Sequence, residues 1–173
     1  MNKIIVFLFC ISSYNCSSQF KINKSKDIDI LTDIPQKQNT NNNYLIKNNS
    51  NRTYIIDPFG FYGDSKILVN NIEVKPTAII YGEYYRFTDK QCANDLIVLK
   101  PKENRRVNLN LAYNVRELDY DYSKFENFAR IVKSYHNRNN ATIVGCNSFI
   151  EKLEKKGYHV LTDTIDTKIL YVK

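Results

Sequence analysis

The sequence predicts an α+β fold: an antiparallel β-sandwich or small barrel as the body, followed by a C-terminal helix-strand-helix-hairpin portion. Three observations carry this. Between residues 44 and 113, short β-branched and aromatic runs alternate with turns rich in Asn, Gly and Pro. Near Ser123 the hydrophobic period changes from two to between three and four. Two serine-led capping boxes then follow, Ser123-Lys-Phe-Glu126 and Ser148-Phe-Ile-Glu151.

Residues 1–18 read as an export signal. Met1-Asn-Lys3 is a short positive start, Ile4 to Ile11 an apolar stretch, and Ser12 to Gln19 small and polar. The apolar stretch is far shorter than the roughly 20 residues that span a bilayer. Cleavage after Ser18 would leave Gln19 first. Alternatively Cys16 becomes a lipidated first residue, since a cysteine directly behind the apolar stretch resembles bacterial lipoprotein signals. The expected location is therefore the periplasm or outer cell envelope, with or without a lipid anchor. Residues 19–43 are rich in Asn, Lys, Gln and Asp and predict a flexible tether.

Residues 44–173 predict one β-rich domain, long enough to bury a core. Expected strands are Tyr44–Lys47, Thr53–Ile56, Lys66–Val69, Ile72–Val74, Ala78–Phe87, Asp95–Leu99 and Arg106–Tyr113. Val107-Asn-Leu-Asn-Leu111 alternates strictly, giving one apolar and one polar face. The runs Tyr44 to Ser50 and Ile97 to Asn104 resemble the strand patterns of bacterial Ig-like sandwiches, so the resemblance implies an Ig-like body. A fold-level likeness carries no function with it.

The C-terminal α/β part, about 123–173, opens with a predicted helix over 124–136. Phe125, Phe128, Ala129, Val132 and Tyr135 follow helical spacing behind the first capping box. Ala141–Cys146 predicts a strand, the box at Ser148 opens a helix that Gly157 can stop, and Tyr158–Thr162 and Lys168–Val172 predict a closing hairpin.

Two of the four cysteines, Cys10 and Cys16, fall in the signal, leaving Cys92 and Cys146 for the folded part. In an oxidising compartment they predict a disulfide. The formal charge of +7 becomes +6 once Lys3 leaves with the signal. Such a balance often points to nucleic acid, but an exported domain argues instead for an envelope protein or glycan, with the membrane reached only through a lipid anchor.

Catalytic patterns are sparse. Cys146 before a helix, with His136 or His159 as a base, is the one nucleophile arrangement to consider. The carboxylates Asp57, Glu83, Asp95 and Glu117 have no spacing that pairs them. Neither cysteine–histidine spacing nor Asp119-Tyr-Asp-Tyr-Ser123 fits a metal site, and Asn147 and Ile150 stand where a dinucleotide loop needs glycine. No cofactor is expected. What stands out is 13 Tyr and 9 Phe without a Trp, gathered in Phe59–Tyr62 and Tyr81–Phe87. Extended backbone there would place Tyr84 and Arg86 on one face, a candidate binding pair. The expected function is an exported, envelope-anchored binding or structural module. The alternatives are a small Cys146-dependent enzyme or an envelope immunity-type inhibitor.

Overall fold

Ile28 and Ile30 are fully buried while Asp29 and Leu31 beside them are only half-buried, so strand alternation begins inside the expected tether. The computed structural model describes residues 18–37, 43–82, 84–114 and 116–173. The expected export signal lies outside these residues except for Ser18, and Cys16 with it.

In chain order the strands are β1 (Ser18–Lys21), β2 (Ile28–Ile34), β3 (Gln36–Lys37), β4 (Asn43–Asn48), β5 (Tyr54–Ile56), β6 (Phe61–Val69), β7 (Ile72–Val74), β8 (Ala78–Tyr81), β9 (Ile97–Leu99), β10 (Asn104–Asn108), β11 (Arg116–Asp119), β12 (Asn127–His136), β13 (His159–Val160) and β14 (Asp163–Val172). The helices are α1 (Asp89–Asp95) and α2 (Asn147–Glu154). Among the described residues the strands form four sheets, β1-β2-β4-β10, β3-β14-β12-β6-β7, β13-β5-β9 and the ribbon β11-β8, and none closes into a barrel.

The first two sheets share a core. Ile28, Ile30, Tyr44 and Ile46 meet Phe61, Ile67, Val132, Ile165 and Ile169, and Tyr54, Ile56 and Leu99 of the three-stranded sheet join them. This gives the β-rich α+β, sandwich-like architecture expected. Ile55 points the opposite way from its neighbours Tyr54 and Ile56 and belongs to a second core with Cys92, Leu96, Ala141, Cys146, Ile150 and Leu153. The small sheet thus has the main core on one face and both helices on the other.

Several expectations are corrected. Residues 19–37 are not a tether: β1, β2 and β3 occupy them, and the Asn23 amide is buried between the Asp163 carboxylate and the Ile28 carbonyl. Residues 127–136 form a central strand and not a helix, paired along its length with β14 and over most of it with β6. Phe128, Val132 and His136, four apart, satisfy either period, and a place between two long strands decided for the sheet. Ser123 sits in a 3₁₀ turn (Tyr122–Lys124), its hydroxyl donating to Asp121 Oδ1 at 2.5 Å.

The expected strand over 141–146 is also absent. A 3₁₀ turn, Asn140–Thr142, replaces it, because the Asn137 side chain accepts the Asn140 N–H at 2.8 Å and fixes a local turn. Ser148 lies inside α2 and the cap position is Cys146, at φ 71°. The expected closing hairpin does not form, because β13 pairs in parallel with β5 while β14 pairs with β12 in another sheet. Finally, the strand expected over 78–87 ends at Tyr81. The helix stop at Gly157 does occur, at φ 83°.

Candidate functional site

Downstream of β5 the chain turns through Asp57-Pro-Phe-Gly60, closed by Gly60 N–H donating to Asp57 O at 2.9 Å. The Asp57 side chain accepts the Phe59 N–H, also at 2.9 Å, and is itself fully buried. A Cβ at Gly60 would stand 2.7 Å from His136 Nε2, so only glycine lets the turn lie on that ring.

Arg86 reaches into this turn. Its Nη1 and Nη2 donate to Asp57 Oδ2 and Oδ1 at 2.7 and 3.0 Å, a bidentate fork, and its Nε donates to Asp95 Oδ2 at 2.9 Å. The guanidinium carbon lies 5.4 Å from the Phe59 ring centre and 5.5 Å from that of Tyr84. Burial by itself would lower the arginine pKa, but bonds to Asp57 and then Asp95 offset it and the net shift is upward. The Tyr84 hydroxyl donates to Asp95, which is the first cause of the lowered Asp95 pKa and of the raised Tyr84 pKa; Arg86 lowers Asp95 further.

The segment 84–88 is fixed by backbone as well. Arg86 N–H donates to Val144 O at 2.9 Å, and a Cβ on Gly145 would fall 2.4 Å from Arg86 O. Gln91 Oε1 accepts the N–H of Phe87 and of Thr88, while the Thr88 hydroxyl accepts the Gln91 N–H, a capping box at the start of α1. Thr88-Asp-Lys-Gln91 carries that pattern in the sequence itself. Cys92 on α1 is joined to Cys146 before α2, as expected, with Cα atoms 5.6 Å apart. Cys146 therefore has no free thiol for nucleophilic chemistry, which removes the basis of the cysteine-enzyme alternative.

The predicted binding pair separates. Arg86 is 2% exposed and belongs to the core, so it offers no charge to a partner; this corrects its assignment as a contact residue. Tyr84 remains 43% exposed, and Tyr85, Tyr81 and Phe87 are 51%, 71% and 81% exposed. The backbone leaves the strand after Tyr81, so strict alternation no longer governs which side chains point out. Asp57 and Asp95 are brought together on Arg86, whereas Glu83 and the Glu117 side chain lie outside the described residues. Among the described residues, no three His, Cys, Asp or Glu side chains gather as a metal site would require. An open groove of about 350 Å³ lined by Leu68, Asn71, Phe128 and Lys168 shares no residue with this cluster.

Comparison with protein-family models, curated proteins and solved structures finds no match. The geometry alone must speak for the site. It describes a buried ion-pair anchor that fixes an exposed aromatic segment.

His136, fully buried at the end of β12, completes the anchor. Its Nδ1 faces Leu161 O at 2.7 Å and Nε2 accepts the Asp57 N–H at 3.1 Å, which is the neutral Nδ1–H tautomer. Burial is the main cause that holds its pKa below the ordinary 6.5. The unfolded chain then binds a proton, from about pH 6.5 downward, that the folded chain refuses, so stability is complete above that pH and is lost as pH falls through the window below it. Chemical denaturation between about pH 7.5 and 5 should show stability falling by up to ~1.4 kcal/mol per unit in that window. His136→Asn should be less stable throughout and lack this slope; a variant with the same slope would assign it elsewhere.

Proposed function

We propose that the chain is an exported binding module of the cell envelope whose contact surface is the aromatic segment 79–87. One observation carries the reading. Large apolar side chains stand in solvent on a backbone that Arg86, the Thr88–Gln91 box and the Cys92–Cys146 bridge hold in place. Exposing rings in this way is unfavourable unless something covers them, and fixing them beforehand lowers the ordering cost of binding. The disulfide supports an oxidising destination, in line with the export signal read from residues 1–18. The two facing sheets support the likeness to bacterial Ig-like modules at the level of architecture.

The test replaces Tyr85 and Phe87 by alanine together. Both rings are exposed, so thermal unfolding should be unchanged. Envelope proteins retained by the wild type should be lost, with about 2 kcal/mol or more of affinity removed. Retention of the same proteins by the folded variant would reject this surface. Intact mass of the protein from its own host should show Gln19 or an acylated Cys16 as the first residue; retention of Met1 would reject export.

A further inference from the structure

Within the β8–β11 ribbon, strand β8 is apolar on both faces, while β11 brings Arg116, Glu117 and Asp119. The register sets Leu118 opposite Ile79, and Tyr81 shares their face while Ala78 and Ile80 occupy the other. All four β8 residues are exposed, as is Leu118. A two-stranded ribbon is marginal in water unless further strands or a packing layer complete it. Among the described residues no third strand joins this sheet, so β8 has β11 on one edge and no strand on the other. Such an edge is a template for pairing.

We propose that this edge pairs with β8 of a second copy of the chain about a two-fold axis, giving a four-stranded sheet β11-β8-β8′-β11′. The proposal rests on the reading of segment 79–87 as a contact surface and names its occupant. Charge favours a copy over an anionic partner. The chain carries +7, yet β8 has no charged residue, and segments 75–90 and 116–121 together hold four basic and five acidic ones. The arginine among them that could greet an anion from the aromatic segment, Arg86, is consumed by Asp57 and Asp95. Copies can therefore meet here without the repulsion that the rest of the chain would impose.

The strand is also complementary to itself. Antiparallel two-fold pairing about Ile80 keeps each face on its own side and sets Ile80 against its own copy and Ile79 against Tyr81: β-branched against β-branched and β-branched against aromatic, with no like charges opposed. Area is sufficient. Ile79, Ile80, Tyr81, Tyr85, Phe87 and Leu118 are 37–81% exposed, which at roughly 100 Å² each offers roughly 600 Å² of apolar surface per copy. A standard interface of about 800 Å² per partner, somewhat over half of it apolar, needs about 450 Å².

Sedimentation velocity of the purified protein over a dilution series should show a dimer with a dissociation constant below about 10 μM. Exchanging Ile79 and Tyr81 for lysine together, at two exposed positions, should weaken it at least ~30-fold, the size of one lost hot spot, with monomer unfolding unchanged. Hydrogen exchange on the wild type needs no variant: the amides of 78–81 that point away from β11 should be protected above the dissociation constant and open below it. A wild type monomeric at about 100 μM, a dimer untouched by the lysines, or protection of those amides that ignores concentration would each overturn the dimer. A monomer whose capture of an envelope protein still depends on Tyr85 and Phe87 would overturn it too, while leaving the contact-surface reading in place.

Discussion

Arg86→Ala is expected to cost about 3–5 kcal/mol of folding stability, because it strands a buried carboxylate. Both side chains of the Arg86–Asp57 pair have no exposed surface, so water cannot replace the lost donors. Asp57 would keep only its Phe59 N–H bond, and Asp95 would keep Tyr84. The Phe59 and Tyr84 rings would also lose the cation beside them. Replacing both partners by apolar residues, Arg86→Met with Asp57→Leu, should cost much less than the single change, since an apolar pair leaves no charge in the dark. Urea denaturation of the two variants decides the matter: a loss below about 1 kcal/mol for Arg86→Ala would mean that the site admits water and that the anchor is not one. It follows that substituting Arg86 cannot report on binding, whereas Tyr85 and Phe87 can.

The sequence showed the β-rich body because β-branched alternation is local, but it hid the places where tertiary neighbours chose between two allowed periods. Phe128, Val132 and His136 fit a helix as well as a strand, and only β6 and β14 alongside them settle the choice. The three isoleucines Ile22, Ile28 and Ile30 were outvoted by the polar composition around them, although each is almost fully buried. At the site, the aromatic excess was readable and its exposure is real. The place of Arg86 is not legible, because period-two alternation stops at Tyr81, where the strand ends, and no spacing announces that Asp57, Asp95 and Arg86 meet across 29 and 9 residues of chain. The helix α1, by contrast, has a local signal, a threonine followed three residues later by glutamine.

Removing the disulfide, as Cys92→Ala with Cys146→Ala, should lower stability by about 4 kcal/mol through the unfolded chain alone, since the bridge closes a loop across a separation of 54 residues. The bridged residues stand in the second core, with Leu96, Ala141, Ile150 and Leu153, and that core is small. It has no large aromatic among its buried members to hold α1 and α2 on the three-stranded sheet once the link is cut. The loss should be local first. Amides of α1, α2 and the 144–146 turn should exchange faster while those of β6, β12 and β14 keep their protection. Arg86 couples the two halves, because its Nη1 lies 3.9 Å from Cys146 Sγ and its backbone bonds to Val144. The combined effect of the cysteine pair and Arg86→Ala should therefore fall short of the sum of the separate ones. Both cysteines are nearly inaccessible, so mild reductant should leave the native bridge intact and cleave it only under partial unfolding. Cleavage by mild reductant in the native state, or full additivity with Arg86→Ala, would show that the bridge sits outside the anchor and that the aromatic segment is held by the ion pair alone.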